Sequence, residues 1–508
     1  MKRIAAITVL SVGWLICGPD ISAQGADTDS GKKREWLETK VFSRLYRNPS
    51  TAFQQPDTLG VGRVESSYGY RSSEGLQLLS EGSSEGKFEL IAEGRGLRAN
   101  KIFWGKVGYS NSANERTAWT NVTDPFRVGP YQVADSIGGD TYSEEYLLNG
   151  GVAIPAGKWI MSGEAGYRAG HQYRKTDPRP KSTTTDLYGK LSTGYSFRNK
   201  YLVGVTLQAG KYEQELNINV QRDNNKFNFF VMRGFGMYHL QESTYASNFS
   251  WRYKGSNFET TFFFLPSEGS GLSGYSTMRY ENIDSYPGGN YIPFSFKTLS
   301  FNNEIGWKKR TEHSFRFARL NYQYNLSKGT ERVFQYQKVN EVFGQYFLLS
   351  SNNLFTRKEV GVNLEAGKEW INGALSKWLI AKVGYQSYGQ RYSFPVYRNN
   401  YNYLLSSMRM GVDISTAKRW IITPEFGCWY KPILEKEELL IEKSELYDAS
   451  FKPDTEIYKA NVAVVNMGIT CKHNLRSSLQ LYASLRGEYQ FAGDLNRRYG
   501  QLTIGINY

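Results

Sequence analysis

Nucleophilic or metal-assisted chemistry would have to be built from four histidines, His171, His239, His313 and His473, and three cysteines, Cys17, Cys428 and Cys471. A hydrolase needs a nucleophile and a base within hydrogen-bond reach, and a third group that orients the base. His313 and His473 fall in or beside predicted tight turns, His171 ends a predicted strand next to Tyr173, Arg174 and Lys175, and no triad pattern surrounds any of them. Each reads as a surface residue, and the chain is not expected to be an enzyme. So few His and Cys leave no metal cluster and no cofactor is expected. Gly269 to Gly274, Gly-Ser-Gly-Leu-Ser-Gly, lacks the following Lys and the strand-to-helix setting of a phosphate cradle, and is predicted to be a flexible external loop.

The remaining chemistry is ionic. Lys106, Glu164, Arg168, Lys190, Lys382, Arg409, Arg486 and Glu488 fall on the polar faces of different predicted strands. Such mixed charges could coordinate a polar solute inside a pore, or pair into a network that closes it. The chain carries 62 Lys and Arg against 48 Asp and Glu, a formal charge of +14, but no Arg-rich arm or recognition helix gathers them, so nucleic acid is not an expected partner. Lipid phosphate, or anionic cargo in a lumen, suits the spread of charge better.

The elements that must hold these residues are strands. The 508 residues include 37 Tyr, 28 Phe, 11 Trp and 50 Gly, yet mean hydropathy is only -0.52. Lys2 and Arg3, the apolar run Ile4 to Cys17 and the small residues Ser22-Ala23 have the form of a secretory signal over 1–23. Beyond it no run approaches the 18 or so apolar residues of a transmembrane helix. A closed barrel needs only strands of about 9 to 11 residues that alternate between lipid and lumen. From Leu475 to Phe491 the odd positions are Leu, Ser, Leu, Leu, Ala, Leu, Gly, Tyr and Phe, and the even ones are polar or Tyr. Leu502, Ile504, Ile506 and the terminal Tyr508 repeat the pattern, as do Lys87 to Arg95, Leu379 to Gln390 and Trp420 to Tyr430, with Ile91 and Ile421 as exceptions on polar faces.

Tight turns near residues 97–100, 155–158, 198–200, 308–311, 416–418 and 472–474 alternate with long connections near 111–142, 337–354 and 432–453. The expected fold is therefore all-β, a transmembrane antiparallel outer-membrane β-barrel of about 16 strands, within roughly 14 to 18, with both termini periplasmic. Phe227 to Tyr238 and Asn257 to Phe264 are strand-like and would add a hairpin or form an external subdomain. The outward tyrosines Tyr109, Tyr167, Tyr195, Tyr385 and Tyr430 are expected at the external end, as an interfacial belt. Trp36, Leu37, Val41, Phe42, Leu45 and Tyr46 mark a short N-terminal helix ended by Asn48-Pro49. Residues 24–59 would rest on the barrel mouth, enter the lumen as a plug or dock a partner, ahead of a barrel over 60–508.

The signal followed by Arg47-Asn48-Pro49, the long segment from Trp119 through Asp124-Pro125 and Pro130-Tyr131 to Tyr146, and the aromatic finish resemble the large outer-membrane barrels of Bacteroidota. The sequence is most similar to an uncharacterised family of that group. The resemblance implies uptake or diffusion of polar nutrients, as a porin-like channel or as an accessory to a transporter; the alternative is a non-transporting structural or assembly subunit. It implies outer-membrane lipid and lipopolysaccharide around the wall, and a TonB-dependent transporter or surface lipoprotein as partner. It brings no catalytic residue.

Overall fold

The computed structural model describes residues 37–54, 61–221, 227–244, 249–267, 269–287, 291–338, 344–372, 375–416, 419–475 and 479–508. The expected signal over 1–23 and the rest of 24–36 lie outside the described residues. Period-two alternation produces one antiparallel sheet that closes on itself. The first strand, Val61–Glu74, pairs with the last, Leu495–Asn507, with Arg63 opposite Asn507 and Glu74 opposite Asn496, so neither edge is left open. The sheet has 19 hydrogen-bonded segments. Trp420–Lys431 and Ile433–Leu440 both pair with Tyr397–Ser415 and are two pieces of one strand broken at Pro432, which makes an 18-stranded barrel.

All 16 strands expected from the alternation are present; the other two are Phe249–Pro266 and Gly271–Pro287. In Phe249–Pro266 the alternation is hidden because the inward face is also apolar. Trp251, Tyr253, Phe263 and Leu265 are buried inward, while Phe258 and Phe262 are exposed outward, so the Phe262–Leu265 run has no polar face. Asn257 to Phe264 thus belongs to the wall. Phe227 to Tyr238 does not: Phe227–Gly234 pairs with Met237–Thr244 and with Val133–Asp135 in a separate three-stranded sheet. The two added strands also move Gly269 to Gly274 to the short-turn end, where Gly271 already starts a strand, so it is not an external loop.

Other boundaries shift for similar reasons. The supposed long loop near 337–354 is mostly strand, because Ser314–Lys338 and Gly344–Asn372 continue outward as a paired ribbon. Ile433–Leu440 and the short helices Tyr447–Ser450 and Lys452–Tyr458 occupy much of 432–453 and the residues after it. The strand Phe294–Thr311 runs through 308–311 and leaves Glu312 and His313 as the turn. Tyr195, expected at the external end, stands at the short-turn end, 4.8 Å from the Trp159 ring.

Large apolar side chains project outward around the barrel, with Leu191 72%, Phe262 62%, Met467 64%, Leu485 57% and Ile504 57% exposed. Water would not tolerate so continuous an apolar surface, but hydrocarbon requires it. The closed barrel with this belt is an outer-membrane β-barrel, and the start of its first strand at Val61 and its end at Tyr508 lie together on the short-turn, periplasmic side. Aromatic side chains pack across the inner wall onto glycines that only a missing Cβ allows. At Gly151 a Cβ would stand 2.3 Å from the Trp104 ring.

The register separates the cysteines. Cys428 lies opposite Val465 and Cys471 opposite Ile422, six residues further along the paired strands, or roughly 20 Å. A disulfide needs Cα atoms about 4.4 to 6.8 Å apart, and both thiols are free. A nonreduced digest of native protein is expected to yield the two peptides unlinked; a stoichiometric Cys428–Cys471 link would overturn this register.

Candidate functional site: a lumen filled from both mouths

At the periplasmic mouth, residues 37–54 lie inside the barrel. Leu37, Val41, Phe42, Leu45 and Tyr46 are all buried, on a helical turn over Leu37–Val41 and a 3-10 turn over Leu45–Arg47. Asn48 then turns extended (φ -74, ψ 122), as a residue before proline must, and stops the helical run. The anchor is ionic. Glu38 is 3% exposed and receives hydrogen bonds from Lys308 Nζ, from Arg310 at 2.8 Å and from the Tyr46 hydroxyl at 2.8 Å. Burial alone would raise the Glu38 pKa, but the Lys308 charge and these three donors outweigh it and hold the carboxyl below its ordinary value.

Around the anchor the segment meets wall after wall. Phe42 packs edge-on to Phe317, with ring centroids 6.1 Å apart, and over Gly306, where a Cβ would come within 3.0 Å of its ring. Arg319 donates to the Val41 carbonyl while bridging Glu304 at 3.2 Å and Glu365 at 2.9 Å. Lys40 stands 3.6 Å from Glu425. The Thr206 hydroxyl donates to Asn48 at 3.0 Å, Ser50 and Ser192 share a hydrogen bond of 2.7 Å, and Arg95 donates to the Ala52 carbonyl. These partners run from the second strand of the wall to the one that carries Glu425, so the segment crosses the mouth.

From the other end, the connection between Thr117 and Gly139 folds inward. Asp124 precedes Pro125 at the first position of a one-turn helix, Pro125–Val128, which aims Arg127 at the wall. Arg127 holds Asp186 and Glu281, each at 2.6 Å, on two different strands. Arg168 holds Asp124 at 2.6 Å and Glu145 at 3.2 Å. Arg174 and Asp135, both 1% exposed, pair at 2.7 Å. Tyr253 donates to the Tyr131 carbonyl and accepts from the Val133 amide, both at 3.1 Å. The separate sheet completes an apolar core of Val122, Tyr131, Phe229 and Phe235 against the wall residues Trp251, Phe294 and Tyr397.

Of the eight charged residues singled out in the sequence, Glu164 and Lys190 meet at 2.9 Å, and Glu164 also accepts from Trp104 at 3.0 Å and Tyr188 at 3.1 Å. Arg168 joins the loop anchor. Lys106 is 3.7 Å from Glu93. Lys382 is opposite Glu365 in register. Arg409 lies beside Gly427 and Arg486 beside Gly468, while Glu488 accepts from Gln490 at 2.6 Å. The eight do not form one cluster. The residues that organise the interior, Glu38, Lys308 and Arg127, escaped the sequence reading; the only signal for Arg127 was its place inside the long segment after Trp119.

The histidines stand apart from one another. His171 stacks on Tyr173 at 5.8 Å, His239 lies edge-on to Phe294 at 5.5 Å, His473 lies against Trp420 at 4.4 Å, and His313 occupies a turn. Among the described residues no three His, Cys, Asp or Glu are grouped to hold a metal.

No curated protein matches the chain. Solved structures similar over most of its length include a ferric enterobactin receptor variant from Pseudomonas aeruginosa, at 10% identity, 88% of this chain, 81% of that one and a TM-score of 0.37. The siderophore receptor of Acinetobacter baumannii is similar at 8% identity, 89% of this chain, 81% of that one and a TM-score of 0.38. A family model described as a family of unknown function (DUF6850) matches residues 49–508, and the chain belongs to that family.

Proposed function

We propose that this protein is a gated outer-membrane barrel of a Bacteroidota cell that takes up or passes a polar solute. Its lumen is closed at rest by its own N-terminal segment and its own external loop. The observation that carries this reading is the run of contacts that residues 37–54 make across the periplasmic mouth, from Arg95 to Glu425. Both closures are fixed by ion pairs rather than by continuous covalent wall, so each can be released while the barrel stays closed on itself. Lys106, Glu164, Arg168, Lys190, Lys382, Arg409, Arg486 and Glu488 would then line or border the route a solute takes. Outer-membrane lipid and lipopolysaccharide surround the wall.

The test is conductance in a planar bilayer. Wild-type protein is expected to be nearly silent, and a Lys308→Met, Arg127→Leu double variant to open resolvable channels. A variant that stays folded, loses both closures and still conducts nothing would sink the proposal.

A second reading is favoured by the ribbon above the barrel. There Tyr336, Phe347, Leu348 and Leu349 are 52%, 42%, 55% and 60% exposed on a hairpin that pairs with no third strand among the described residues. Two strands alone are marginal in water. An accessory subunit would cover them with a TonB-dependent transporter or a surface lipoprotein, which native co-purification would recover.

A further inference from the structure

One line of paired residues crosses the outward face of five neighbouring strands. Lys297 is opposite Lys328, Lys328 opposite Thr356, Thr356 opposite Arg391, and Arg391 opposite Arg398. All four cations are exposed. Lys358, also exposed, stands one pair nearer the membrane, opposite Leu326, with its ammonium 5.8 Å from the centre of the Tyr324 ring. Like charges directly opposite each other on a sheet destabilise it, and here the pattern occurs twice in one row.

Acidic side chains relieve little of this. Arg398 lies 3.4 Å from Glu437; among the described residues Lys297, Lys328, Lys358 and Arg391 have no carboxylate within salt-bridge distance. Cations elsewhere on the same outward face are treated differently. Arg252 has Glu213 at 3.6 Å and Glu215 at 3.5 Å, and Lys254 has Glu213 at 3.9 Å.

The position of the row says what would neutralise it. Immediately below Lys297 and Lys328 on the same face stand Leu299 opposite Leu326, then Phe301 opposite Tyr324. On these two strands the surface thus changes from apolar to cationic in a single step toward the external end, at the depth where acyl chains give way to headgroups. Strands about 4.8 Å apart spread the row over roughly 19 Å from Lys297 to Arg398, wide enough for more than one anionic group. A phosphate monoester carries about -1.5 to -2 charges and three acceptor oxygens, and lysine and arginine donors bind it with charge-assisted hydrogen bonds. Thr356 supplies a hydroxyl in the middle of the row.

We propose that Lys297, Lys328, Lys358, Arg391 and Arg398 form a binding site for the phosphorylated headgroup of an outer-leaflet glycolipid, whose acyl chains lie along Leu299, Leu326 and the apolar face below. The site stands on the outer surface of the wall and does not depend on whether the lumen conducts.

The experiment uses full-length protein in detergent micelles and lipopolysaccharide lacking its outer polysaccharide, with retained lipid read by native mass spectrometry. Lys297→Gln, Lys328→Gln and Arg391→Gln combined are expected to weaken binding about tenfold or more, and added salt to weaken the wild type. The same glycolipid stripped of phosphate is expected to bind the wild type about tenfold less. Lys254→Gln, on the same face but already paired, is expected to change nothing. The triple variant removes repulsion and should keep its heat-modifiable mobility; should it misfold, Lys328→Gln alone, with an expected loss of about threefold, replaces it. Unchanged binding by a folded variant, or equal binding of the phosphate-free lipid, overturns the site. Displacement of the glycolipid by millimolar inorganic phosphate overturns the lipid assignment and leaves a free-anion site in its place.

Discussion

Replacing Lys308 with methionine is expected to free residues 37–54 from the periplasmic mouth. The Lys308 and Glu38 side chains are only 2% and 3% exposed, so the substitution leaves a buried carboxylate with one cation fewer. Breaking a buried pair by removing one partner costs roughly 3 to 5 kcal/mol. Arg310 remains on Glu38 and moves the expected loss toward the lower end. That loss falls on docking of the segment, because the strand pairing of Phe294–Thr311 is untouched. Protease added from the periplasmic side should cut within 37–54 in the variant and spare the wild type, while the barrel keeps its heat-modifiable mobility. Continued protection of the segment would show that the apolar contacts of Phe42 and Leu45 suffice.

Acid should act on the same anchor. A glutamate whose pKa is lower in the docked state than in the released state stabilises docking fully above its released pKa, near the ordinary glutamate value, and the stabilisation is lost as pH falls through the lower docked value. The wild-type segment is therefore expected to stay protected at neutral pH and to become cleavable only below the ordinary glutamate range.

Arg127→Leu is expected to have the largest effect on the external side. One guanidinium holds Asp186 and Glu281 together, and its removal leaves two half-buried carboxylates with, among the described residues, Arg168 3.8 Å from Asp186 and Arg279 3.2 Å from Glu281. Losing the shared partner of such groups costs roughly 2 to 5 kcal/mol. The segment from Trp119 to Asp135 should detach from the wall and become open to external protease, with its Tyr131 and Val133 contacts weakened rather than abolished. Arg127→Lys should restore only part of the protection, since an ammonium cannot present the planar fork that reaches both acids. Full protection in Arg127→Leu would assign the loop's position to the apolar core alone.

How much of this was legible depends on which face of a strand is asked about. The outward residues Leu481, Leu485, Leu502 and Ile504 meet the same hydrocarbon wherever they stand, so their alternation with polar neighbours could be read from any one strand. Ile421 looked misplaced because it is buried inward at the periplasmic end of its strand rather than facing water; it is 3% exposed. The strand that carries Tyr253 and Phe263 was hidden because an inward face that packs against protein is as apolar as one that packs against lipid.

By itself the sequence determined the class of fold, the strand positions where one face is polar, the closure of the last strand and the outward place of Cys428, because each depends on period two and on a solvent that is uniform around the barrel. Only the tertiary structure decided that the lumen is filled from both mouths, that the strand count is 18, that Glu38 meets Lys308 and Arg127 meets Asp186 and Glu281, and that lysines and arginines fall into one row. Those contacts join residues separated by 59 to 270 positions. Their partners are chosen by register and loop path, which are properties of the closed sheet rather than of any local pattern.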